Sequence, residues 1–172
     1  MPVTVFENTT AESLSFLLEP DGERYEVPTL ARIGVRYSFE NGAVDRTFSD
    51  VGEKGIRFWC DAKKREVEVV HPTPFDLLLW DMCVRLGFCG GLVNGNPTHV
   101  KDLLPEVGVV TAEEFAKLAI NAECDVQSPP DQQARWVALL STAFIERMGA
   151  SWVFAEALVQ NFAQPFDGPP EG

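Results

Sequence analysis

The sequence predicts an α+β protein, an N-terminal antiparallel β sandwich or open barrel packed against a C-terminal bundle of four to five helices. Two observations carry this. From residue 1 to about 71, apolar and polar side chains alternate in short runs separated by turns, the period-two mark of strands with one buried face. From Pro72 onward apolar residues recur at helical spacing instead. The chain of 172 residues, 45% hydrophobic with 12 Phe and 4 Trp, can bury a core without metal or disulfide staples. The boundaries read as a β part over 1–71, a helical part over 72–164 and a flexible tail over 165–172. The first two are expected to form one cooperative unit.

Val3 and Val5, then Leu14, Phe16 and Leu18, mark two strands. Glu19-Pro20-Asp21-Gly22-Glu23 is a turn, since Pro presets φ and Gly supplies a positive one. Arg24 to Val27 returns from it, and Arg32 to Phe39 alternates again. Asn41-Gly42 signals a hairpin because both residues tolerate positive φ, so Val44 to Phe48 should pair back. Ser49 to Gly55 reads as a loop. Ile56, Phe58 and Cys60 then point one way, and after the basic turn Ala62 to Arg65 a last strand carries Val67 and Val69.

At the boundary, Thr73 is an N-cap with Pro74 at the first helical position and Asp76 in the first turn. Phe75, Leu78, Leu79, Met82 and Leu86 trace one face of this helix. With Leu77, Trp80 and Val84 it is apolar around most of its circumference, so it should be central, packed on the sheet and on later helices. Gly87 ends it, and the glycines and asparagines from Gly90 to Asn96 predict about ten residues without regular structure. Thr98 caps a short helix, His99 to Leu104. Thr111 and Glu114 form a capping box for a helix whose inner face is Phe115, Leu118, Ala119 and Ala122. Asp125 to Pro130 breaks it. Starting at Ser128 or Asp131, the longest helix turns Trp136, Val137, Leu140, Phe144 and Met148 inward and ends at Gly149. Ser151 caps a final helix through Phe154, Leu158 and Phe162, with Trp152 and Phe154 expected in the core.

Charge narrows the function. The chain carries 26 acids against 14 bases, a net of −12. Residues 1–72 hold 13 acids and 9 bases, and residues 73–172 hold 13 and 5, so the helical part is the more acidic. A negative field opposes phosphate binding, so no direct nucleic-acid binding is expected; a basic protein partner fits better. No apolar run reaches the roughly 20 residues that span a bilayer, and no membrane association is expected. Nothing at the N-terminus resembles a signal peptide. Cys60, Cys83, Cys89 and Cys124 lack C-x-x-C pairing, and Cys83 and Cys89 would point apart on one continuous helix. Both observations predict reduced thiols in a bacterial-type cytoplasmic protein.

Motifs for chemistry are sparse. The acids of the Glu19–Glu26 hairpin lack calcium-loop spacing and read as a solvated turn, and His71 is a lone histidine at a strand end. Asn8-Thr9-Thr10 matches a glycosylation sequon without a secretion context. No metal, cofactor or phosphate loop is indicated. The place where backbone freedom and a histidine coincide is Gly90 to His99. Gly90, Gly91, Asn94, Asn96, His99, Asp102 and Glu106 are the binding candidates, and His99 with Cys89 is the catalytic candidate pair. The leading expectation is a non-catalytic acidic interaction protein, of inhibitor or immunity type, that neutralises a basic protein by steering followed by burial of aromatic anchors. The alternatives are a small enzyme or ligand-binding protein with a pocket under the Gly90–His99 loop, and nucleic-acid mimicry, which needs acids spaced like phosphates.

Overall fold

A computed structural model describes residues 1–40, 43–123, 129–160 and 162–167. The fold mixes helices and strands, as expected, and divides into two compact units. One comprises Met1–Pro72 with the C-terminal segment from Ala163; the other is Thr73–Phe162.

Among the described residues the first unit holds seven strands: β1 (Val3–Glu7), β2 (Leu14–Glu19), β3 (Glu23–Val27), β4 (Arg32–Ser38), β5 (Phe48–Gly52), β6 (Gly55–Trp59) and β7 (Lys64–Val70). They form two sheets, ordered β1-β4-β7 and β3-β2-β6-β5, and no closed barrel. Alternation places Phe16, Leu18, Ile56 and Phe58 of one sheet and Ile33, Val35 and Tyr37 of the other in a single buried cluster. Phe6 bridges them, its ring centroid 5.5 Å from both Phe16 and Phe58. Burying such side chains is worth about 1.5–3 kcal/mol each.

Asn8 is fully buried and knots the loops at one end of this unit. Its Nδ2 donates to the carbonyls of Glu12 (2.7 Å) and Val27 (2.8 Å), and its Oδ1 accepts from the Thr10 amide and hydroxyl. Both amide hydrogens are thus engaged, so in the folded chain the Asn8 sequon is closed to glycosylation.

Four expectations fail in this unit. Val3 and Val5 are exposed, because alternation fixes a period and not which face is covered; Phe6 takes the inner side. The arrangement is not purely antiparallel, since β2 and β6 pair in parallel from Ser15↔Gly55 to Glu19↔Trp59. The strand after residue 43 is Phe48–Gly52, not 44–48, and it occupies the presumed loop. All five of its residues are exposed at the sheet edge, so it carries no apolar period to read. The frayed tail is also corrected for residues 165–167, since Pro165 is buried beside Gly34 of β4. The Asn41-Gly42 turn lies outside the described residues.

The second unit is built on α1 (Pro74–Asp81), α3 (Ala112–Glu123) and α4 (Pro130–Met148), with a short α2 (Val100–Leu103). Thr73 caps α1 through a box with Asp76, and Pro74 opens it, as the sequence implies. Phe75, Leu78 and Met82 meet Phe115, Ala119, Leu140 and Phe144 in this unit's own core. Asp81, nearly buried, ties α1 to α4 by accepting from Arg147 Nε at 2.5 Å. Gly149, at φ 69°, ends α4 where predicted. Its predicted start at Ser128 and the break from Asp125 fall partly outside the described residues.

Three local corrections apply here. The stretch after Gly90 is a hairpin, β8 (Gly91–Val93) and β9 (Asn96–Thr98), turned by Asn94 and Gly95 at positive φ. His99, not Thr98, caps α2, in a box with Asp102. The presumed last helix is a strand, β11 (Trp152–Phe154), which pairs with β10 (Val109–Thr111) and runs into one 3-10 turn.

Candidate functional site

The most exposed aromatic surface of the helical unit is the outer face of the β10–β11 ribbon. Val110 is buried and Val153 packs against the core, which fixes one face of the ribbon inward. Alternation then turns Val109, Thr111, Trp152 and Phe154 outward together. The bonds Ala112 N–H to Ser151 O (2.9 Å) and Ala155 N–H to Gly108 O (2.8 Å) extend the ribbon at each end. Trp152 is 49% and Phe154 58% exposed, their rings edge to face at 5.5 Å. Val109 is also exposed on this face, and Val107, just before β10, is exposed as well. The expectation that Trp152 and Phe154 belong to the core is therefore overturned. Their spacing of two, which a helix would splay and a strand aligns, was the available signal.

Acidic residues neighbour the ribbon in sequence. Glu114 is held beside Thr111 by accepting from its amide (2.9 Å) and hydroxyl (2.8 Å), and these bonds lower the pKa of its carboxyl. Glu106 and Glu156, both exposed, lie next to Val107 and two residues beyond Phe154. The nearby cation Lys117 pairs with Glu113. Elsewhere in the unit Lys101 pairs with Asp76, and Arg85 and Arg147 with Asp81. An edge-to-face aromatic pair in an anionic setting is suited to binding.

The residues singled out from sequence separate into three places. Gly90 and Gly91 pack the hairpin onto the end of α3: the Gly90 amide donates to Glu123 Oε1 at 2.7 Å, and a Cβ on Gly91 would overlap the Glu123 carbonyl. A Cβ on Gly90 would stand 2.6 Å from Thr98 O and within 3.4 Å of the His99 ring. The space these glycines open is filled by the protein itself. Asn94 and Asn96 form the hairpin turn, where Asn96 Nδ2 donates to Asn94 O at 3.4 Å. His99 and Asp102 serve α2: His99 Nδ1 accepts from the Lys101 amide at 3.3 Å, and Asp102 accepts from the His99 amide at 2.7 Å. Glu106 is exposed in the bend that precedes β10.

Cys83 and Cys89 form a disulfide, against the expectation of reduced thiols. That expectation rested on the lack of C-x-x-C spacing and on ideal helix geometry carried as far as residue 89. Instead α1 relaxes into a π-helical turn over Met82–Leu86, Gly87 adopts φ 79°, and the Phe88 amide returns to Met82 O, bringing the two Cα atoms to 4.3 Å. Cys89 thus offers no thiol to His99 in this state. Cys60 is a buried free thiol whose pKa is raised, chiefly by burial. Cys124 lies outside the described residues. A reducing compartment therefore loses its support from cysteine usage.

Among the described residues, no group of three or more His, Cys, Asp or Glu side chains is placed to hold a metal ion, and no helix is long and apolar enough to cross a membrane. No protein-family model, curated protein or solved structure matches the chain.

Proposed function

We propose that the chain is a non-catalytic acidic interaction protein whose helical unit engages a basic protein through the outer face of β10–β11. The observation that carries this reading is the half-exposed Trp152–Phe154 pair, with Val109 on the same face, Glu114 held at Thr111, and exposed Glu106 and Glu156 close by in sequence. Aromatic side chains supply large contact area with few rotatable bonds, and centrally placed ones dominate binding energies at interfaces. Surrounding carboxylates steer a cationic partner and disfavour anionic ones, nucleic acid included. An inhibitor or immunity-type role follows if the covered surface of the partner is its working one.

The test is a photoreactive group at position 154, cross-linked in cell extract, followed by isolation of the protein attached and titration of the pure pair. The reading expects a basic partner whose affinity falls steeply between low and moderate salt, by tenfold or more for several screened charge pairs. An acidic partner, or an affinity that salt leaves unchanged, contradicts it.

A further inference from the structure

In the β unit, the outer face of the β1-β4-β7 sheet is occupied by the chain's own C-terminal segment. β4 presents Gly34 there, with Arg36 two residues on, and Glu68 of β7 lies opposite Gly34 in register. Pro165 is buried in the notch that the missing Gly34 side chain leaves; a Cβ at Gly34 would collide with Pro165 and touch the Phe166 ring. The Arg36 guanidinium lies 4.4 Å from the Phe166 ring centroid, and the Phe166 amide donates to the Glu68 carboxylate. Arg32 Nη1 reaches Ala163 O at 3.4 Å. The segment also shapes itself. The Gln164 amide donates to Asp167 Oδ2 at 3.0 Å, the Asp167 amide returns to Gln164 O at 3.2 Å, and Phe166 sits at φ 66°.

These contacts read a short sequence. The notch admits a proline ring, the cation over the ring selects an aromatic after it, the Glu68 carboxylate takes that residue's backbone N–H, and the aspartate closes the turn. The sheet's hydrogen bonding does not use the segment, since β4 pairs with β1 and with β7 along their whole registers. We infer that this sheet face is a binding site for Pro-Phe-Asp peptide segments, of which Gln164–Asp167 is the resident copy. A partner bearing such a segment then competes with the tail for the Gly34 notch. Being part of the same chain, the resident copy competes intramolecularly and masks the site against weak competitors.

The test uses the full-length chain with P165S/F166S, which vacates the site and keeps the sheet, and a fluorescent peptide of sequence Ala163 to Asp167. The peptide should bind the vacated chain at least about tenfold more tightly than the wild type, where the tail competes. Adding G34V, which fills the notch, should abolish that binding. No binding to a folded vacated chain at about 5 mM peptide overturns the inference; so does equal binding with and without G34V. Should the vacated chain fail to fold, the wild type decides. Excess unlabelled peptide should speed amide hydrogen exchange at residues 163–167 and leave β10–β11 unchanged, whereas unaltered exchange at 163–167 overturns the inference.

Discussion

Asn8 and Gly91 illustrate how single residues hold this molecule in ways composition does not reveal. Asn8→Ala would leave the Val27 and Glu12 carbonyls and the Thr10 amide without their partner, in a position with no exposure to water. Orphaned buried polar groups cost about 1–3 kcal/mol each, so a loss of about 3 kcal/mol in urea unfolding is expected. A loss under about 0.5 kcal/mol would mean the knot contributes little. Gly91→Ala drives a methyl into the Glu123 carbonyl and should cost about 3 kcal/mol, the upper end for overpacking, because the obstacle is backbone. The glycines of this loop were visible as a density in the sequence. Their purpose was not, because a close approach involves Glu123, some thirty residues away. Trp152 and Phe154 show the converse. Aromatics of that size are expected inside, and only the pairing of β11 with β10 turns them out.

At the scale of elements, local chemistry was read best where the partners are neighbours in sequence. The boxes Thr73–Asp76 and Thr111–Glu114, the end of α4 at Gly149 and the turn at Gly22 all follow from spacing. Thr111→Ala should lower stability by about 1 kcal/mol, the usual cost of a lost cap. The pH dependence has a definite sign. Glu114 is lowered below its ordinary value of 4.5 in the folded chain, so its contribution is complete above that value and is lost as pH falls through the lower folded one. The stability difference between wild type and Glu114→Gln should therefore be constant from pH 5 to 7 and shrink on further acidification, followed by circular dichroism. A difference that grows toward low pH would contradict the assignment. Elements defined by distant partners were less legible. β5 is an edge strand with no buried face, and the Cys83–Cys89 bridge depends on a π-helical turn and on Gly87. Cys83→Ser/Cys89→Ser should cost about 2 kcal/mol, as expected for opening a short loop. Alkylation of native, unreduced protein should spare both cysteines; labelling of both would exclude the bridge.

For the molecule as a whole, the chain divides into units at Pro72 and Thr73, where the period changes from two to 3.6, and each unit covers its own core. The return of the chain at Ala163 to the first unit was not legible, since Gln164-Pro165-Phe166-Asp167 has no periodicity and its contacts are with β4 and β7. The net charge of −12 was plain in the sequence, but the surface through which it would act was not. The Trp152–Phe154 face of β10–β11 is the proposed anchor for a basic protein partner. It is tested most directly by the dissociation constant of the isolated pair measured with wild type and with W152A/F154A. Both rings are half exposed, so the variant should keep the thermal midpoint within a few degrees while binding weakens at least about a hundredfold, the loss of two aromatic anchors. An unchanged dissociation constant in a folded W152A/F154A chain would contradict the claim.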